Sequence, residues 1–222
     1  MAKIEKVLTS KQFCDFLKTL PWWKGGTKYR AELPYNCLYH ATNDILWADC
    51  NNLVKATIWG KATVPEKGKN WYKPGLYGLN DLTCEQLIDI CDRESTDFKE
   101  ITPGECLYIK GSNGIDHIGV YVGDFSFTFN GKLWWVNVIE ATSAFENGIL
   151  ATYVDSNGNR TNGKGGSAGG KWHKHGYLPW ISYPELEKPF TYSTRVENGK
   201  TIISVDGHGE LEISADIKIK KL

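Results

Sequence analysis

At 222 residues the chain has room for one sizeable α+β domain with an appendage. Hydrophobic residues at 41% and aromatics at 13% supply a packed core, which excludes disorder of the whole chain. Lys plus Arg and Asp plus Glu each number 26, so no bulk field attracts nucleic acid or an anionic membrane, and any partner is recognised locally.

The segment from Met1 to Phe13 sets Lys3, Glu5 and Lys6 among isolated apolar residues, a pattern of neither a signal peptide nor a membrane anchor. Synthesis in the cytoplasm without a secretory address, and no membrane insertion, are expected. Thr9 with Gln12 then predicts a capping box and a short helix with the apolar stripe Phe13, Cys14, Phe16, Leu17 and Leu20, stopped by Pro21. Cys14 is read as core. From Trp22 to Trp47 the density of Trp, Tyr, Gly and Pro predicts an ordered loop. Asp49 is the natural N-cap of a helix from Cys50 in which Leu53, Val54, Thr57 and Ile58 form the buried stripe and Gly60 the stop.

Thr83 and Gln86 form a second capping box ahead of Leu87, Ile88, Ile90 and Cys91. The pattern then changes to period 2. Pro103-Gly104 reads as a turn, Glu105 to Ile109 as a strand, and Asp116 to Gly123 as a strand with Ile118, Val120 and Val122 on one face and His117, Gly119 and Tyr121 on the other. Leu133 to Ala141 and Ile149 to Val154 follow as strands, while Asn157 to Gly170 is rich enough in Gly and Asn to predict a mobile loop. Helices followed by strands indicate an α+β fold.

The six cysteines show no CxxC pair and no metal-ligand spacing, which argues against both a zinc site and a secreted disulfide framework. Cys84 and Cys91 share a helix face, but a rise of about 1.5 Å per residue holds them about 10 Å apart, too far to bridge. Cys50 stands out by position, because a thiol in the first turn of a capped helix meets unpaired N–H groups and the positive end of the dipole, which favour thiolate. The bland reading, a small apolar residue at a helix start, stays open on position alone.

A nucleophilic cysteine needs a base. His117 is the best placed of five histidines, on a strand with one core face and beside Gly119, which leaves room for another chain or substrate. His173 and His175 read as a solvated pair, and His40 and His208 lie in loop-like sequence. Glu140, inside an otherwise apolar strand, is the candidate third group to fix the tautomer of the base, with an outward-facing strand residue as the even alternative.

Ala48-Asp49-Cys50-Asn51-Asn52-Leu53-Val54 resembles the Asp-Cys-Ser-Gly-Leu-Val nucleophile motif of the NlpC/P60 family of cysteine peptidases. Pro103-Gly104-Glu105 with Asp116-His117-Ile118-Gly119-Val120-Tyr121-Val122-Gly123 resembles the family's Pro-Gly-Asp and His-Val-Gly-Ile-Tyr-Val-Gly segments, in the same order and spacing. Val138-Ile139-Glu140-Ala141-Thr142 falls where the family places its third polar residue, and Trp172 to Ile181 is similar to the closing strand of phage-type members. Two departures stand out: Asn51-Asn52 replaces Ser-Gly, and Glu140 is the acidic variant where His, Asn or Gln is common.

The resemblance implies a papain-like NlpC/P60 fold over residues 1–185, with N-terminal helices packed on an antiparallel sheet, and a β appendage over 186–222. It implies a cysteine endopeptidase or amidase acting on the stem peptide of bacterial peptidoglycan through Cys50, His117 and Glu140, with no metal and no cofactor. The upstream Tyr that shapes the oxyanion site is Tyr29 or Tyr35. Asp49 and Trp47 join them as candidate substrate-binding residues. The aromatic segments Trp22 to Trp47 and Trp71 to Tyr77 are either cleft walls or ordinary core and loop aromatics. Without a secretory address, release by lysis or carriage aboard a virion is expected, as for a phage lysin. The rival class is a noncatalytic wall-binding or phage tail component that keeps the fold.

Beyond the resemblance, Asn198-Gly199 predicts a tight hairpin turn between Thr191 to Val196 and Thr201 to Val205. The strict alternation from Leu211 to Lys220 predicts a third strand with one apolar face. Such a sheet is too small to stand alone, so it is expected to pack on the main domain or to support self-association through residues 190–222.

Overall fold

The computed structural model describes residues 3–112, 114–183, 192–197, 200–205 and 209–213. The chain divides into two compact units, Met1–Tyr183 and Pro184–Leu222. The architecture is mixed α+β, with few helices and one large antiparallel sheet.

After the two-residue strand β1 (Leu8–Thr9), helix α1 (Ser10–Thr19) starts at the anticipated capping box. Thr9 Oγ1 accepts from the Gln12 N–H at 3.2 Å and Gln12 Oε1 accepts from the Thr9 N–H at 2.9 Å. Phe13, Cys14 and Leu17 are its buried face. The segment expected to be a loop instead contains β2 (Thr27–Tyr29), β3 (Tyr39–His40) and β4 (Leu46–Ala48) in the order β2-β4-β3, strands of two or three residues that are too short to show an alternation. His40, expected in a loop, is buried in β3, where Asp44 and the Pro65 carbonyl hold its ring nitrogens.

Helix α2 (Cys50–Trp59) begins at Asp49 and stops at Gly60, and it is buried on almost every side. Helix α3 (Cys84–Asp89) has the second capping box, with Thr83 and Gln86 as its partners. It ends before Cys91, so Cys84 and Cys91 do not share a helix, and both are free thiols.

The large sheet is made of β5 (Asp92–Ser95), β6 (Cys106–Gly111), β7 (Gly114–Phe129), β8 (Lys132–Thr142), β9 (Gly148–Val154), β10 (Asn159–Thr161), β11 (Ala168–Lys171) and β12 (Lys174–Tyr177), in the order β11-β10-β9-β8-β7-β6-β12-β5. Strand β13 (Ile181–Ser182) pairs in parallel with β1. Ile118, Val120 and Val122 of β7, with Ile139 and Ala141 of β8, join Phe13, Leu17, Leu53 and Val54 of the helices in the main core. A second, smaller core of Phe98, Leu107, Val138, Val154 and Trp172 also draws on β6, β8 and β9. Pleating explains the division, since alternate residues of β8 such as Val138 and Ile139 point to opposite faces.

The stretch Asn157 to Gly170 departs from expectation. Its Asn159–Thr161 and Ala168–Lys171 segments are paired strands, with β10 also bonded to β9. Its Asn and Gly residues build turns: Asn162 Oδ1 accepts from the Ser167 N–H at 2.7 Å, and Gly158 supplies a φ of 80° under Trp172 and Phe98. His175 departs as well. It is buried, with Nδ1 bonded to the Glu105 carboxylate and Nε2 to the Asp97 carbonyl, because β12 lies between β6 and β5 and not at a wet edge. His173 is exposed and its Nδ1 accepts from the Lys110 N–H at 3.1 Å.

In the second unit, β14 (Tyr192–Glu197), β15 (Lys200–Val205) and β16 (Gly209–Ile213) form an antiparallel sheet in that order, with Glu197 opposite Lys200. The Asn198-Gly199 turn and the alternation beyond Ile213 lie outside the described residues. Among the described residues, no helix is long and apolar enough to cross a membrane.

Candidate active site

Cys50 is the first residue of α2, and Asp49 caps that helix by accepting from the Asn52 N–H at 2.6 Å. The two asparagines that depart from the family motif both have work in the packing. Asn51 Nδ2 donates to the Leu82 carbonyl at 2.9 Å. Asn52 Nδ2 donates to Asp49 Oδ2 at 2.8 Å, and Asn52 Oδ1 accepts from the Cys37 thiol at 3.1 Å. The cap is therefore cross-braced by a side chain. Burial pushes the Asp49 carboxyl up to about 6 against these bonds.

His117 reaches the site from β7. Its Nε2 lies 2.6 Å from Glu140 Oε2, which leaves Nδ1 for Cys50. Glu140 is fully buried on β8, so it is not the outward-facing strand residue that alternation also allowed. Thr152 Oγ1 donates to Glu140 Oε1 at 2.6 Å. Arg160 grips both oxygens, with Nε 3.0 Å from Oε1 and Nη2 against Oε2, and it also donates to Thr142 Oγ1 at 3.0 Å and to the Gly169 carbonyl at 3.0 Å. Burial alone would raise the Glu140 carboxyl, but His117 and Arg160 outweigh it and hold it down at about 2.

Trp172 stacks on the His117 ring, with centroids 5.5 Å apart and planes 22° apart. The space beside Gly119 that was expected to admit a substrate or another chain is filled by this indole. A Cβ on Gly119 would sit 2.8 Å from Trp172 Cη2 and 3.3 Å from Glu140 Cβ. The glycine thus permits the close layering of indole, imidazole and carboxylate.

The electrostatics of the pair follow. A hydrogen bond from the Cys84 thiol lowers Cys50 most, and His117 and the Ile118 N–H lower it further, so that together they overcome burial and draw Cys50 well below the ordinary thiol value. Burial would depress His117, but the bonds to Cys50 and Glu140 raise it to about 9. The two shifts together favour a thiolate beside an imidazolium.

Tyr29 ends β2, whose parallel register places it opposite Ala48, two residues before the thiol. Burial and then the negative charges of Cys50, Asp49 and Cys84 push its phenol up to about 12, so it stays protonated and able to donate. Tyr35 packs against Tyr39 at 5.1 Å and Trp47 at 4.7 Å. The Arg30 guanidinium lies 4.9 Å above the Trp47 ring. Lys28, Tyr29, Arg30 and Asn147 line a cleft of about 430 Å³, and Asn147 Oδ1 accepts from the Tyr29 N–H at 2.8 Å.

Arg160, Trp172 and Cys84 were not among the candidate site residues read from sequence. Arg160 lies in the Gly/Asn-rich stretch, where an isolated cation reads as a solvated loop residue. Trp172 was marked only as the start of the segment that resembles a closing strand and as the neighbour of His173. Among the described residues no cluster of His, Cys, Asp and Glu could hold a metal ion. No family model, no curated protein and no solved structure matches the chain, so the site stands on its own geometry.

Proposed function

We propose that the chain is a cysteine hydrolase of the NlpC/P60 kind that cleaves amide bonds in peptidoglycan stem peptides. The observation that carries the chemistry is the line from the Cys50 thiol at a capped helix start, through His117, to the buried and doubly anchored carboxylate of Glu140. The motif resemblance around Cys50, His117 and Glu140 supplies the substrate class.

In the proposed reaction the Cys50 thiolate attacks the peptide carbonyl carbon, and the carbonyl oxygen becomes an oxyanion held by the Cys50 backbone N–H. The phenol of Tyr29 is the candidate second donor, ahead of Tyr35. The His117 imidazolium gives its proton to the leaving amine as the thioester forms. Neutral His117 then draws a proton from water, which attacks the thioester and releases the peptide acid. Glu140 orients the ring and stabilises its charge without taking the proton. The cleft beside Tyr29, with the Asp49 and Trp47 segment on the neighbouring strand, is the proposed peptide seat.

The test is release of soluble muropeptides from purified sacculi by the wild type and by Cys50→Ala and His117→Ala. Release by the wild type and loss in both variants is expected. Equal release in either variant, or binding to sacculi without release by the wild type, would overturn the proposal, and the second result would favour a wall-binding component.

A further inference from the structure

Lys28 and Arg30 have no part in the reaction above, yet both line the cleft of about 430 Å³ beside Tyr29 and Asn147. The small sheet explains how they come to share it. β2 is the edge strand of the order β2-β4-β3, and residues two apart on a strand point to the same side, so Lys28 and Arg30 project together. The Arg30 N–H continues the ladder by donating to the Ala48 carbonyl at 3.0 Å. Register carries the same side across the sheet, because Lys28 lies opposite Trp47 and Trp47 opposite Tyr39. His40, Leu46 and Ala48, which alternate with Tyr39 and Trp47, are buried, so this is the side left toward solvent.

That side is an aromatic floor with two cations on it. Tyr35 packs on both Tyr39 and Trp47, and the Arg30 guanidinium lies 4.9 Å above the Trp47 ring. Stacking on an indole fixes the plane of a guanidinium and leaves its N–H edge for a carboxylate. The Arg30 ion pair with Glu32 spans 3.7 Å between side chains 46% and 66% exposed, so it contributes little and a ligand carboxylate can displace it. Among the described residues the Lys28 ammonium has no ion pair, and no carboxylate lines the cleft.

We propose that Lys28 and Arg30 form a carboxylate subsite that makes the peptide seat specific for acidic peptides. Arg30 takes a substrate carboxylate through two N–H groups, and Lys28 supplies the second positive charge. The inference rests on the reading of the seat given above and adds its specificity. One exposed charge pair is weak, whereas a two-point guanidinium contact beside a second cation gives both direction and strength. The chain itself sets the subsite near the thiol: Ala48, which accepts from the Arg30 N–H, precedes Cys50 by two residues, a backbone span of at most about 7 Å. The carboxylate is therefore held on the flank of the scissile amide.

Binding is measured apart from turnover. Isothermal titration calorimetry on full-length Cys50→Ala, with Cys50→Ser as the background should that variant fail to fold, uses a synthetic stem pentapeptide and the same peptide with every carboxylate amidated. The free-acid peptide is expected to bind at least about tenfold more tightly, by a margin that shrinks in about 0.5 M salt. Adding Lys28→Gln and Arg30→Gln together should bring the ratio to about 1, and Arg30→Lys, which keeps the charge and loses the fork, should leave it in between. Both positions are exposed, so circular dichroism of these variants should match the background. Equal binding of the two peptides, or a preference that survives the double substitution, would overturn the subsite. Release of muropeptides from sacculi by the protein with Cys50 intact reports the hydrolase reading separately: carboxylate-dependent binding without release removes the hydrolase and keeps the subsite, and release with equal binding does the reverse.

Discussion

Arg160 holds both carboxylate oxygens of Glu140 from a hairpin two strands away in the sheet, and neither side chain is exposed. A carboxylate buried this deeply keeps its charge through such a fork and through His117. The position of the His117 ring therefore depends, through Glu140, on Arg160.

Replacing Arg160 by Ala leaves Glu140 buried without its strongest anchor. A loss of about 3–5 kcal/mol in unfolding free energy is expected, the usual cost of removing one member of a buried ion pair. Arg160→Lys keeps the charge but loses the two-point grip, and should fall between the wild type and Arg160→Ala. Urea unfolding followed by Trp fluorescence measures both, and equal stability of all three proteins would show that the fork has no structural role.

Gly119→Ala tests the layering of His117 and Trp172. The new methyl would lie 2.8 Å from the indole and 3.1 Å from Val138 Cγ1, so the ring must move. Overpacking of this sort costs about 1–3 kcal/mol, and the displaced indole would shift His117 from its Glu140 bond. A changed near-ultraviolet circular dichroism spectrum and reduced alkylation of Cys50 at pH 7 are expected together. An unchanged spectrum with full thiol reactivity would place Trp172 outside the site.

The thiolate–imidazolium pair has a pH signature. Cys50 is lowered, so its alkylation by iodoacetamide should remain fast at pH values where the other thiols are protonated and slow. His117 is raised to about 9, so amide hydrolysis should decline as pH passes that value and the leaving-group proton is lost. Cys50→Ser removes one of the contributions raising His117 and should lower its titration midpoint in nuclear magnetic resonance. A midpoint that does not move would mean that the thiolate does not contact the ring.

Acid stability should report Glu140. Its folded value lies near 2, below the ordinary 4.5, so its contribution is fully present above pH 4.5 and is lost as pH falls toward 2. The stability difference between the wild type and Glu140→Gln should therefore shrink over that window. Chemical denaturation at several pH values measures it, and a constant difference down to pH 2 would argue that the carboxylate is not the titrating group.

The elements beneath the nucleophile and the base were legible because their signals are local. A capping box needs residues three apart, a helix stop needs one glycine, and β7 shows its core face by strict alternation; hence α1, α2 and the start of α3 stand where the pattern put them, while α3 ends at Asp89, short of the Cys91 expected in it. Cys50 at a helix start and His117 on a strand followed from those same signals. Their meeting did not, since contact across 67 positions depends on how α2 packs against β7.

Tertiary structure alone decided the rest. Parallel pairing of β2 with β4 set Tyr29 opposite Ala48, two residues before Cys50, a neighbourhood no local pattern shows. The hairpin of β10 and β11 carried Arg160 under the sheet, although its Gly and Asn residues look like loop, because turn-forming residues mark where a chain bends and not whether its arms are paired. Side-chain bonds from Asn51 and Lys55 of α2 to the Leu82 carbonyl tie the segment before α3 to α2, an arrangement with no spacing to read. Secondary structure is set by neighbours in sequence, whereas a catalytic constellation is set by neighbours in space, and only packing turns one into the other.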